Sequence, residues 1–242
     1  MTRGRAGSGG EGASNSPARR ASDRGRYGRL SRERVLAAAL DLVDREGLSA
    51  LSMRRLGAEL GVEAMALYRY AEGKDALLDG LVEALYLELE ERLGDWDPEQ
   101  DGRSGLHRIA RATYDVCLAH PHAVPLLTTR MLAVPLARRP LAVLRDHERV
   151  LVLLERSGLE GTRAALAFEA VTAWLLGYVS AELRPMVDNP DEPDPAFRLG
   201  LHRMPSHELP NLRRTAAALA DRAGPEGLAA GLDALLDRFA QG

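Results

Sequence analysis

The sequence predicts an all-α protein, with a small three-helix head followed by a larger helical domain. Apolar residues recur at helical spacing along most of the 242 residues, and no stretch alternates over strand lengths with β-branched residues. The apolar content of 45% is enough for a packed core. Residues 1–29 are too polar and glycine-rich to fold alone, so we expect a disordered basic arm there.

The first predicted helix runs from Ser31 to Glu46. Its apolar residues follow the i, i+3, i+4, i+7, i+8 spacing of a single buried stripe. Gly47 then ends the helix, as glycine commonly does in the position after the last turn. The stripe consists of Val35, Ala38, Ala39, Leu42 and Val43.

The segment from Leu51 to Leu78 predicts two short helices joined by a tight turn, followed by a long helix. Ser52 is placed to cap the first short helix, because its side-chain oxygen accepts a hydrogen bond from an unpaired backbone N–H. Gly61 lies where the chain must reverse, and a residue without Cβ enters the left-handed conformation at no steric cost. The second short helix, about Glu63 to Tyr70, faces the first with Leu67.

The second short helix also carries side chains for which the sequence offers no core. A helix pair with a short glycine turn and an exposed mixed face on its second member is the helix-turn-helix pattern that reads the major groove. The alternative is an ordinary helical turn, since the same pattern occurs in many all-α proteins. The side chains in question are Ala64, Met65, Ala66, Tyr68, Arg69 and Tyr70.

Charge is distributed unevenly along the chain. Residues 1–75 hold 14 basic and 10 acidic residues, a net charge of +4, whereas the remainder holds 18 and 25, a net charge of −7. The positive end therefore coincides with the predicted helix pair, where a polyanion would bind. A basic tail unrelated to binding is the alternative for the arm. The arm's arginines, which suit phosphates or a minor groove, are Arg19, Arg20, Arg24, Arg26 and Arg29.

Together these motifs resemble the tetracycline-repressor (TetR) family of transcriptional regulators. The resemblance is strong over residues 30–93, through a first helix ending in REG, the pair LSMRRLGAELGV and the segment ALYRYAEGKDALL. It continues more weakly through residues 126–130, 170–179 and 204–214, which are similar to the ligand-binding half of the tetracycline repressors. It implies a cytoplasmic homodimer that represses transcription at a palindromic double-stranded DNA operator and is released by a small-molecule effector. The alternative is a helix-turn-helix regulator without such an effector, which is controlled by a partner protein or acts as an activator.

The resemblance also implies roles for individual residues. Arg54 matches a base-contacting arginine, whose planar guanidinium suits O6 and N7 of guanine. Tyr68 and Lys74 match phosphate contacts, which position the head without reading sequence. Lys74 is the only lysine of the chain and begins the long helix, whose first N–H groups would meet the same phosphate. The residues expected to bind DNA are Arg26, Arg29, Ser52, Arg54, Ala64, Met65, Ala66, Tyr68, Arg69, Tyr70 and Lys74.

The larger domain, residues 76–242, is expected to contain the ligand pocket and the dimer interface; the helix-turn-helix domain is residues 30–75. After a turn-rich linker, helices are predicted at about 106–119, 122–129, 138–156, 161–183, 212–223 and 226–239. Residues 184–210 are rich in proline, which predicts a mobile loop with at most one short helix.

The helix predicted at 161–183 is apolar nearly all round and must be covered on both sides. In the resembled family this helix and the last one form a four-helix bundle with their symmetry mates. The apolar stripe of the last helix is Leu228, Leu232, Leu235, Leu236 and Phe239. A larger monomeric core is the alternative.

The resemblance places a small-molecule pocket among the middle helices. Thr129 and Arg130 align with a Thr-Arg pair that lines the drug pocket of the tetracycline repressors. Glu90 and Leu126 occupy the positions of two histidines that serve magnesium–tetracycline there, which argues against that ligand. The candidate pocket residues are polar or aromatic groups on otherwise apolar helices: Tyr114, Thr129, Arg130, His147, Trp174, Tyr178 and Glu182.

Enzymatic chemistry, a metal site and a membrane span find little support in the sequence. His120 and His122 supply only two metal donors, and the dipeptide HE at 147–148 lacks the second histidine of an HExxH motif. No cofactor is therefore expected. The single cysteine cannot form an internal disulfide, and we expect no secretory signal. The uncharged run from Ala170 to Ala181 is well short of the roughly 20 residues that span a bilayer.

Overall fold

The computed structural model describes residues 30–95, 99–188, 191, 200, 205, 208–220 and 223–241. These residues contain α-helices, two short 3-10 turns and no strand, which confirms the predicted all-α class. The predictions for the arm, Arg26 and Arg29 included, lie outside the described residues. The helices are α1 (Arg32–Glu46), α2 (Met53–Leu60), α3 (Ala64–Leu67), α4 (Lys74–Leu93), α5 (Gly102–Ala119), α6 (Val124–Ala133), α7 (Leu141–Arg156), α8 (Gly161–Asp188), α9 (Pro210–Ala220) and α10 (Gly224–Gln241).

The head consists of α1, α2 and α3, and its helix ends follow the predicted signals. The Ser52 hydroxyl accepts a hydrogen bond from the backbone N–H of Arg55 at 3.1 Å, and Ser31 caps α1 in the same way. Gly61 ends α2 with φ of 66°, in the left-handed region. Helix α3 is shorter than predicted, because residues 68–70 form a turn instead of continuing it. The fully buried leucines of the head are Leu42, Leu51, Leu56 and Leu67.

Helix α4 connects the head to the rest of the molecule. It packs against α1 at one end and against α5, α6 and α7 along its length. At 1.5 Å per residue its 20 residues span roughly 30 Å. Its buried side chains contact helices of both the head and the body, so a shift of α4 would displace parts of both. These side chains are Leu77, Leu81, Val82, Leu85, Tyr86, Leu89 and Leu93.

The body packs α5, α7, α8 and α10 against one another. Helix α5 begins at Gly102, four residues earlier than predicted, because the Asp101 carboxylate caps it through the N–H of Ser104 at 2.9 Å. A Cβ on Gly102 would lie 2.3 Å from the backbone oxygen of Leu153, so this glycine allows α5 to approach α7 closely. Helix α8 continues to Asp188, into the segment predicted as a loop.

One face of α8 packs inside the protomer and another does not. By length and composition alone, Gly161–Arg184 is apolar enough to cross a membrane, with 28% of its most apolar window buried. An apolar helix that packs in a core meets the same criterion, and α8 packs against α5, α6, α7 and α10. Its exposed face carries mostly small residues: Ala165, Glu169, Ala173, Gly177 and Ala181, with Leu166 beside them.

The leucines of α10 turn inward within the same protomer. Leu228, Leu232 and Leu236 are all at most 4% exposed, and only Leu235 of the predicted leucine stripe is half-buried. These three leucines are therefore covered within the protomer by α5 and α8 and are not available as a seam with a second copy, whereas the predicted four-helix bundle stays a prediction. The exposed side of α10 carries Ala230 and Ala234 instead.

Candidate functional sites: an exposed helix pair and a central cavity

Helices α2 and α3 meet backbone to backbone at Gly57. A Cβ at that position would lie 2.8 Å from the carbonyl oxygen of Val62 and 3.2 Å from the backbone nitrogen of Ala64. Only glycine permits this approach without a shift of α3. The sequence analysis did not identify Gly57, although a glycine inside a predicted helix is a signal of close packing.

The face of this pair that points away from the core is made of large and cationic side chains. Met65 is 76% exposed and Tyr68 is 46% exposed, and both follow the turn at Gly61. Arg54, Ala66 and Arg69 are exposed as well, so these predicted residues share one accessible surface around α2 and α3. Large apolar side chains that are this exposed on a short helix point to contact with another molecule.

Three cations of this surface have no ion-pair partner among the described residues. Arg54, Arg69 and Lys74 make no hydrogen bond or ion pair within the part of the chain that the structure describes. Other arginines of the head are paired: Arg32 with Glu83 at 2.6 Å, Arg45 with Glu59 at 2.8 Å and Arg55 with Glu46 at 2.5 Å. The unpaired charge is thus concentrated on the exposed pair and on the first residue of α4.

Two predicted DNA-binding side chains have partners inside the head. The Tyr70 hydroxyl donates a hydrogen bond to the carbonyl oxygen of Leu30 at 2.8 Å, which fastens the segment that leads into α1. The Ser52 hydroxyl serves as the cap of α2, although its side chain is exposed. Ala64 and Tyr70 are half-buried. These residues position the surface more than they form it.

The start of α4 is open to an anion. Gly73 precedes it with φ of 149° and offers no side chain to cap the first N–H groups, and Lys74 is exposed beside them. A helix N-terminus with free N–H groups and an adjacent ammonium favours a phosphate oxygen.

Comparison with known proteins agrees with this geometry. The family model "Bacterial regulatory proteins, tetR family" matches residues 35–81, which run from α1 into the first turns of α4. The crystal structure of a possible TetR family transcriptional regulator from Streptomyces coelicolor A3(2) has a TM-score of 0.73 and 26% identity, and covers 87% of this chain and 99% of that one. The chain belongs to the TetR family.

Two further proteins are similar to this TetR-family chain. The repressor DrrR1 of Streptomyces coeruleorubidus, an HTH-type transcriptional repressor, is 33% identical over 158 residues, which are 64% of this chain and 54% of that protein. The match thus spans about half the length of that relative. The TetR family protein ActR of Streptomyces coelicolor, solved in complex with (S)-DNPA, has a TM-score of 0.65 at 26% identity and covers 88% of this chain and 98% of that one.

In this TetR-family chain the four helices α4, α5, α7 and α8 enclose a central cavity of about 30 Å³. Most of its lining is aliphatic, from residues such as Leu106, Ile109, Val150 and Val171. The polar and aromatic groups that line it are Tyr86, Thr113, Asp146, His147, Phe168 and Thr172. We call this space, with these lining residues, the central cavity.

Two neighbouring side chains of α7 present unpaired polar atoms there. Asp146 is 7% exposed and His147 is 6% exposed. Oδ1 of Asp146 and both ring nitrogens of His147 have no hydrogen-bond partner among the described residues. Leaving a buried polar group unpaired costs about 1–3 kcal/mol, so such groups usually have a partner. The Phe168 ring stands edge-on to the His147 ring, with centroids 5.1 Å apart.

The same burial favours the uncharged form of both groups. Desolvation raises the pKa of the Asp146 carboxyl to about 7, against the attraction of Arg149. Desolvation, with help from Arg139, lowers the pKa of the His147 imidazole to about 4. Burial also raises the pKa of the Tyr86 hydroxyl well above its ordinary value. Around neutral pH the central cavity therefore holds a neutral imidazole beside a carboxyl near its midpoint.

Of the seven predicted pocket residues, all of them described by the structure, only His147 lines the central cavity. Trp174 and Tyr178 instead lie over glycines of α10: a Cβ on Gly231 would lie 2.0 Å from the Trp174 ring, and one on Gly227 would lie 2.5 Å from the Tyr178 hydroxyl. The Tyr178 hydroxyl donates to the Gly224 carbonyl at 2.6 Å, and the Trp174 indole to that of Leu228 at 3.4 Å. Both aromatic side chains thus hold α8 to α10.

Tyr114 and Glu182 lie near Tyr178. Burial raises the pKa of Tyr178, and the charges of Glu182 and Tyr114 add to that rise. Tyr114 is 5% exposed on α5, whereas Glu182 is half-buried on α8. This cluster lies at the contact of α8 with α5 and α10, and it does not line the central cavity.

Thr129 and Arg130 are elsewhere again. Thr129 is exposed, and its hydroxyl donates to the Pro125 carbonyl of its own helix at 2.7 Å. Arg130 pairs with two carboxylates of α4, Asp75 and, at 3.3 Å, Asp79. Arg130 thereby ties α6 to the first turns of α4, and it also lines a space of about 260 Å³ between α4, α6 and the start of α7, apart from the central cavity. That this pair lines a ligand pocket stays a prediction.

A larger space, of about 310 Å³, is an apolar groove between the head and the body. It is lined by Gly47 and Leu48 of the head, by the start of α6 and by the last turns of α8, and none of the seven pocket candidates borders it. Beside it, His120 bridges Asp44 of α1 and Glu88 of α4 with nitrogen-to-oxygen distances of 2.7 and 2.8 Å. These bonds join the body to the end of α1 and to α4.

Several residues important to the site were not predicted. Gly57, Tyr86, Asp146 and Phe168 were not identified as site residues from the sequence. Asp146 precedes His147 in a helix whose apolar period leaves both on the inner face, so a charged residue on a buried stripe was the available clue. Glu90 pairs with Arg149 at 3.2 Å, and the argument against magnesium–tetracycline that its position suggests stays a prediction.

Proposed function

We propose that this protein is a transcriptional repressor that binds a palindromic DNA operator as a homodimer and is released by a small molecule. The observation that carries the proposal is the exposed surface of α2 and α3, where Arg54, Arg69 and Lys74 have no acidic partner among the described residues. Cations without partners on an exposed helix pair match a phosphate backbone. The relative DrrR1 is named a transcriptional repressor, which favours repression over activation.

In the proposed complex, residues 30–75 form the DNA-binding domain, with residues 1–29 as its basic arm. Helix α3 and its following turn enter the major groove, where Met65, Ala66 and Tyr68 meet the duplex. Arg54 reads a guanine, and Lys74 with the first N–H groups of α4 binds one phosphate. Because the operator is part of the cell's own DNA, we propose that the protein acts in the cytoplasm.

The proposed homodimer uses the exposed face of α8 that carries Ala165, Ala173 and Gly177, within the ligand-binding and dimerisation domain of residues 76–242. Small side chains allow two helices to approach closely, and a two-fold partner is what a palindromic operator requires. A Cβ on Gly177 would meet nothing within 4 Å in the protomer. A side chain added there can therefore disturb a partner without disturbing the fold.

Gly177→Gln tests the dimer. We expect a folded monomer by sedimentation, with operator affinity at least 100-fold weaker, because each half-site then binds alone. Ala37→Gln, at an exposed position of α1, serves as the control and should remain dimeric. A dimeric Gly177→Gln protein with unchanged operator affinity would exclude this face as the interface.

Control by an effector is proposed through α4. Tyr86 lines the central cavity and is twelve residues from Lys74 on the same helix, about 18 Å at 1.5 Å per residue. A ligand that widens the cavity displaces α4 there, and the head moves with the start of the helix. Release then requires the ligand to prefer the conformer that fits DNA poorly, and a 100-fold release needs about 2.7 kcal/mol. ActR, a relative of similar fold, was solved with a small molecule bound.

The DNA contacts are tested by two substitutions measured on a panel of operator variants. Arg54→Ala should relax preference at one base pair, at a cost of about 1–3 kcal/mol on the preferred sequence. Lys74→Ala should weaken binding equally on all sequences and reduce the salt dependence by about one unit. Arg111→Ala, in an exposed ion pair of α5, is the control and should change neither. If Arg54→Ala leaves the preferred sequence unchanged, Arg54 does not read a base.

A further inference from the structure

The polar atoms of the central cavity have more hydrogen-bonding capacity than the chain uses. Asp146 Oδ1 and both ring nitrogens of His147 lack a partner in the described residues, and each side chain is more than nine-tenths buried. The Thr113 hydroxyl, which also lines the cavity, is already bonded to the Ile109 carbonyl at 2.9 Å. Among the described lining residues, the fully buried polar atoms without a partner therefore all belong to two adjacent residues of α7.

Among the described residues, no Arg, Lys or Glu side chain lines the central cavity. Glu90 is occupied by Arg149 at 3.2 Å and by Arg145 at 3.6 Å. The His147 imidazole is neutral at neutral pH because burial lowers its pKa to about 4, and burial raises the pKa of Asp146 to about 7. An anion that enters this space finds no cationic side chain in the lining, and a cation finds only the Asp146 carboxyl, which burial keeps mostly protonated below about pH 7. Either ion therefore loses its hydration without a charged partner, which is costly in an apolar interior.

We propose that the central cavity selects an uncharged, mainly apolar molecule with at least one hydrogen-bonding group, which Asp146 and His147 hold. This inference rests on the proposed effector control and names the chemical class of that effector. The neutral imidazole offers one donor and one acceptor, and the protonated carboxyl offers both as well, so a hydroxyl, a carbonyl or an amide N–H group satisfies them. The aliphatic walls accept the rest of the molecule.

Binding requires the cavity to open. A space of about 30 Å³ holds only a water or two, so a larger molecule must displace the Phe168 ring from the edge of His147. Phe168 belongs to α8 and Tyr86, across the cavity, belongs to α4. The ligand that meets the unpaired atoms therefore also separates these two helices, which links selection to release.

Three naphthalene derivatives with one ring system test the charge selection: 1-naphthalenemethanol, 1-naphthoate and 1-naphthylmethylammonium. Their binding to the full chain is measured by calorimetry at pH 6.5, where both acid and base probes are ionised. We expect the alcohol to bind at least 10-fold more tightly than either ion. Equal or tighter binding of either ion would overturn the proposal, and so would the absence of binding by all three at millimolar concentration, which would mean that the polar pair holds water alone.

The site is located by variants. His147→Phe and Asp146→Asn should each weaken binding of the alcohol at least 5-fold, whereas Glu148→Gln, on the exposed side of the same helix, should not. Thr128→Trp fills the groove between head and body and should leave binding unchanged. Loss of binding in Thr128→Trp with full binding in His147→Phe would move the site to that groove and overturn the proposal. Should either α7 variant fold poorly, Val171→Trp, which fills the central cavity from α8, replaces it and should abolish binding.

Operator affinity is measured in the same samples to separate this inference from the proposed function. Tight binding of the alcohol without any change in operator affinity supports the selection of an uncharged ligand but contradicts control of DNA binding through α4. If an ion binds more tightly than the alcohol and also releases the operator, the proposed control of DNA binding is supported, but the selection of an uncharged ligand is contradicted.

Discussion

The head and the body use their functional residues in opposite ways. In the head, the exposed candidates Arg54, Met65 and Arg69 point into solvent, and the leucines that hold α1, α2 and α3 together are a separate set. In the body, His147, Trp174 and Tyr178 are all packed against neighbouring helices. A surface site can thus be altered without changing the fold, whereas a buried site cannot, because each side chain there also fills space.

This contrast predicts that substitutions in the two regions have different signatures. In the head, changes of binding should come without changes of stability. In the body, the two should change together. Each of the following experiments either strengthens that separation or removes it.

The largest effect is expected for Trp174→Ala. Its ring lies directly over Gly231, so truncation leaves a gap between α8 and α10 that neither helix can fill. We expect a loss near the lower end of the roughly 3–5 kcal/mol typical for aromatic truncation, since Trp174 is half-buried. Urea denaturation measures it, with Leu141→Ala, at a residue 59% exposed, as the control. Unchanged stability would show that Trp174 is free to serve a ligand.

The second effect is a pH dependence hidden in the wild-type protein. Native Asp146 keeps its proton up to about pH 7, whereas the unfolded carboxyl loses it near 3.8, so its contribution to stability falls as pH rises between these values. Native His147 stays neutral down to about pH 4, whereas the unfolded imidazole is protonated below 6.5, so its contribution falls as pH drops. Between pH 4 and 6.5 the two slopes oppose each other.

Replacing either Asp146 or His147 should reveal the pH dependence of stability that the other residue contributes. Relative to wild type, His147→Phe should lose stability as pH rises from 4.5 to 6.5, by up to about 1.4 kcal/mol per unit, and Asp146→Asn should gain it. Denaturant titrations at several pH values measure both, and Glu148→Gln supplies the reference for an exposed carboxyl. Parallel slopes in the two variants would mean that the groups are not buried as described.

The smallest change in stability with a consequence for function is expected for Gly57→Ala. The added methyl meets the backbone oxygen of Val62 at 2.8 Å, so α3 must shift, at a cost of about 1 kcal/mol, near the low end for overpacking. Operator affinity should fall more than stability, because the shift displaces α3 in the groove. Gly80→Ala is the comparison, since its Cβ would meet only the flexible Leu36 side chain. Equal operator affinity in both variants would contradict the role of Gly57.

The sequence predicted the head better than the body for a physical reason. Ser31, Ser52, Gly47 and Gly61 act within their own helix or turn, so a single stretch of sequence contains the whole cause. The cavity depends on residues that α4, α5, α7 and α8 bring from distant positions, and no local pattern records which inner faces meet. Helix limits in the body shifted accordingly, as where Asp101 caps α5 four residues early.

The bundle shows the same limit. An apolar stripe on α10 was correctly identified as buried, but periodicity does not distinguish burial within a protomer from burial against a second one. Leu232 is 1% exposed inside its own protomer. The exposed faces of α8 and α10 carry alanines and a glycine, whose small side chains do not form a recognisable apolar pattern in the sequence. Small residues can be identified as a candidate dimer interface only when the structure shows which faces of each helix its neighbours cover.

The lone lysine has a practical consequence. Lys74 lies at the boundary between head and body, exposed at the first position of α4, and every other basic residue among the 32 is an arginine. A protease specific for lysine therefore has one bond to cut, between Lys74 and Asp75, and the cut divides the chain into its two functional parts. Bound operator should shield that bond, so the rate of a single cleavage becomes a footprint of DNA occupancy that needs no label.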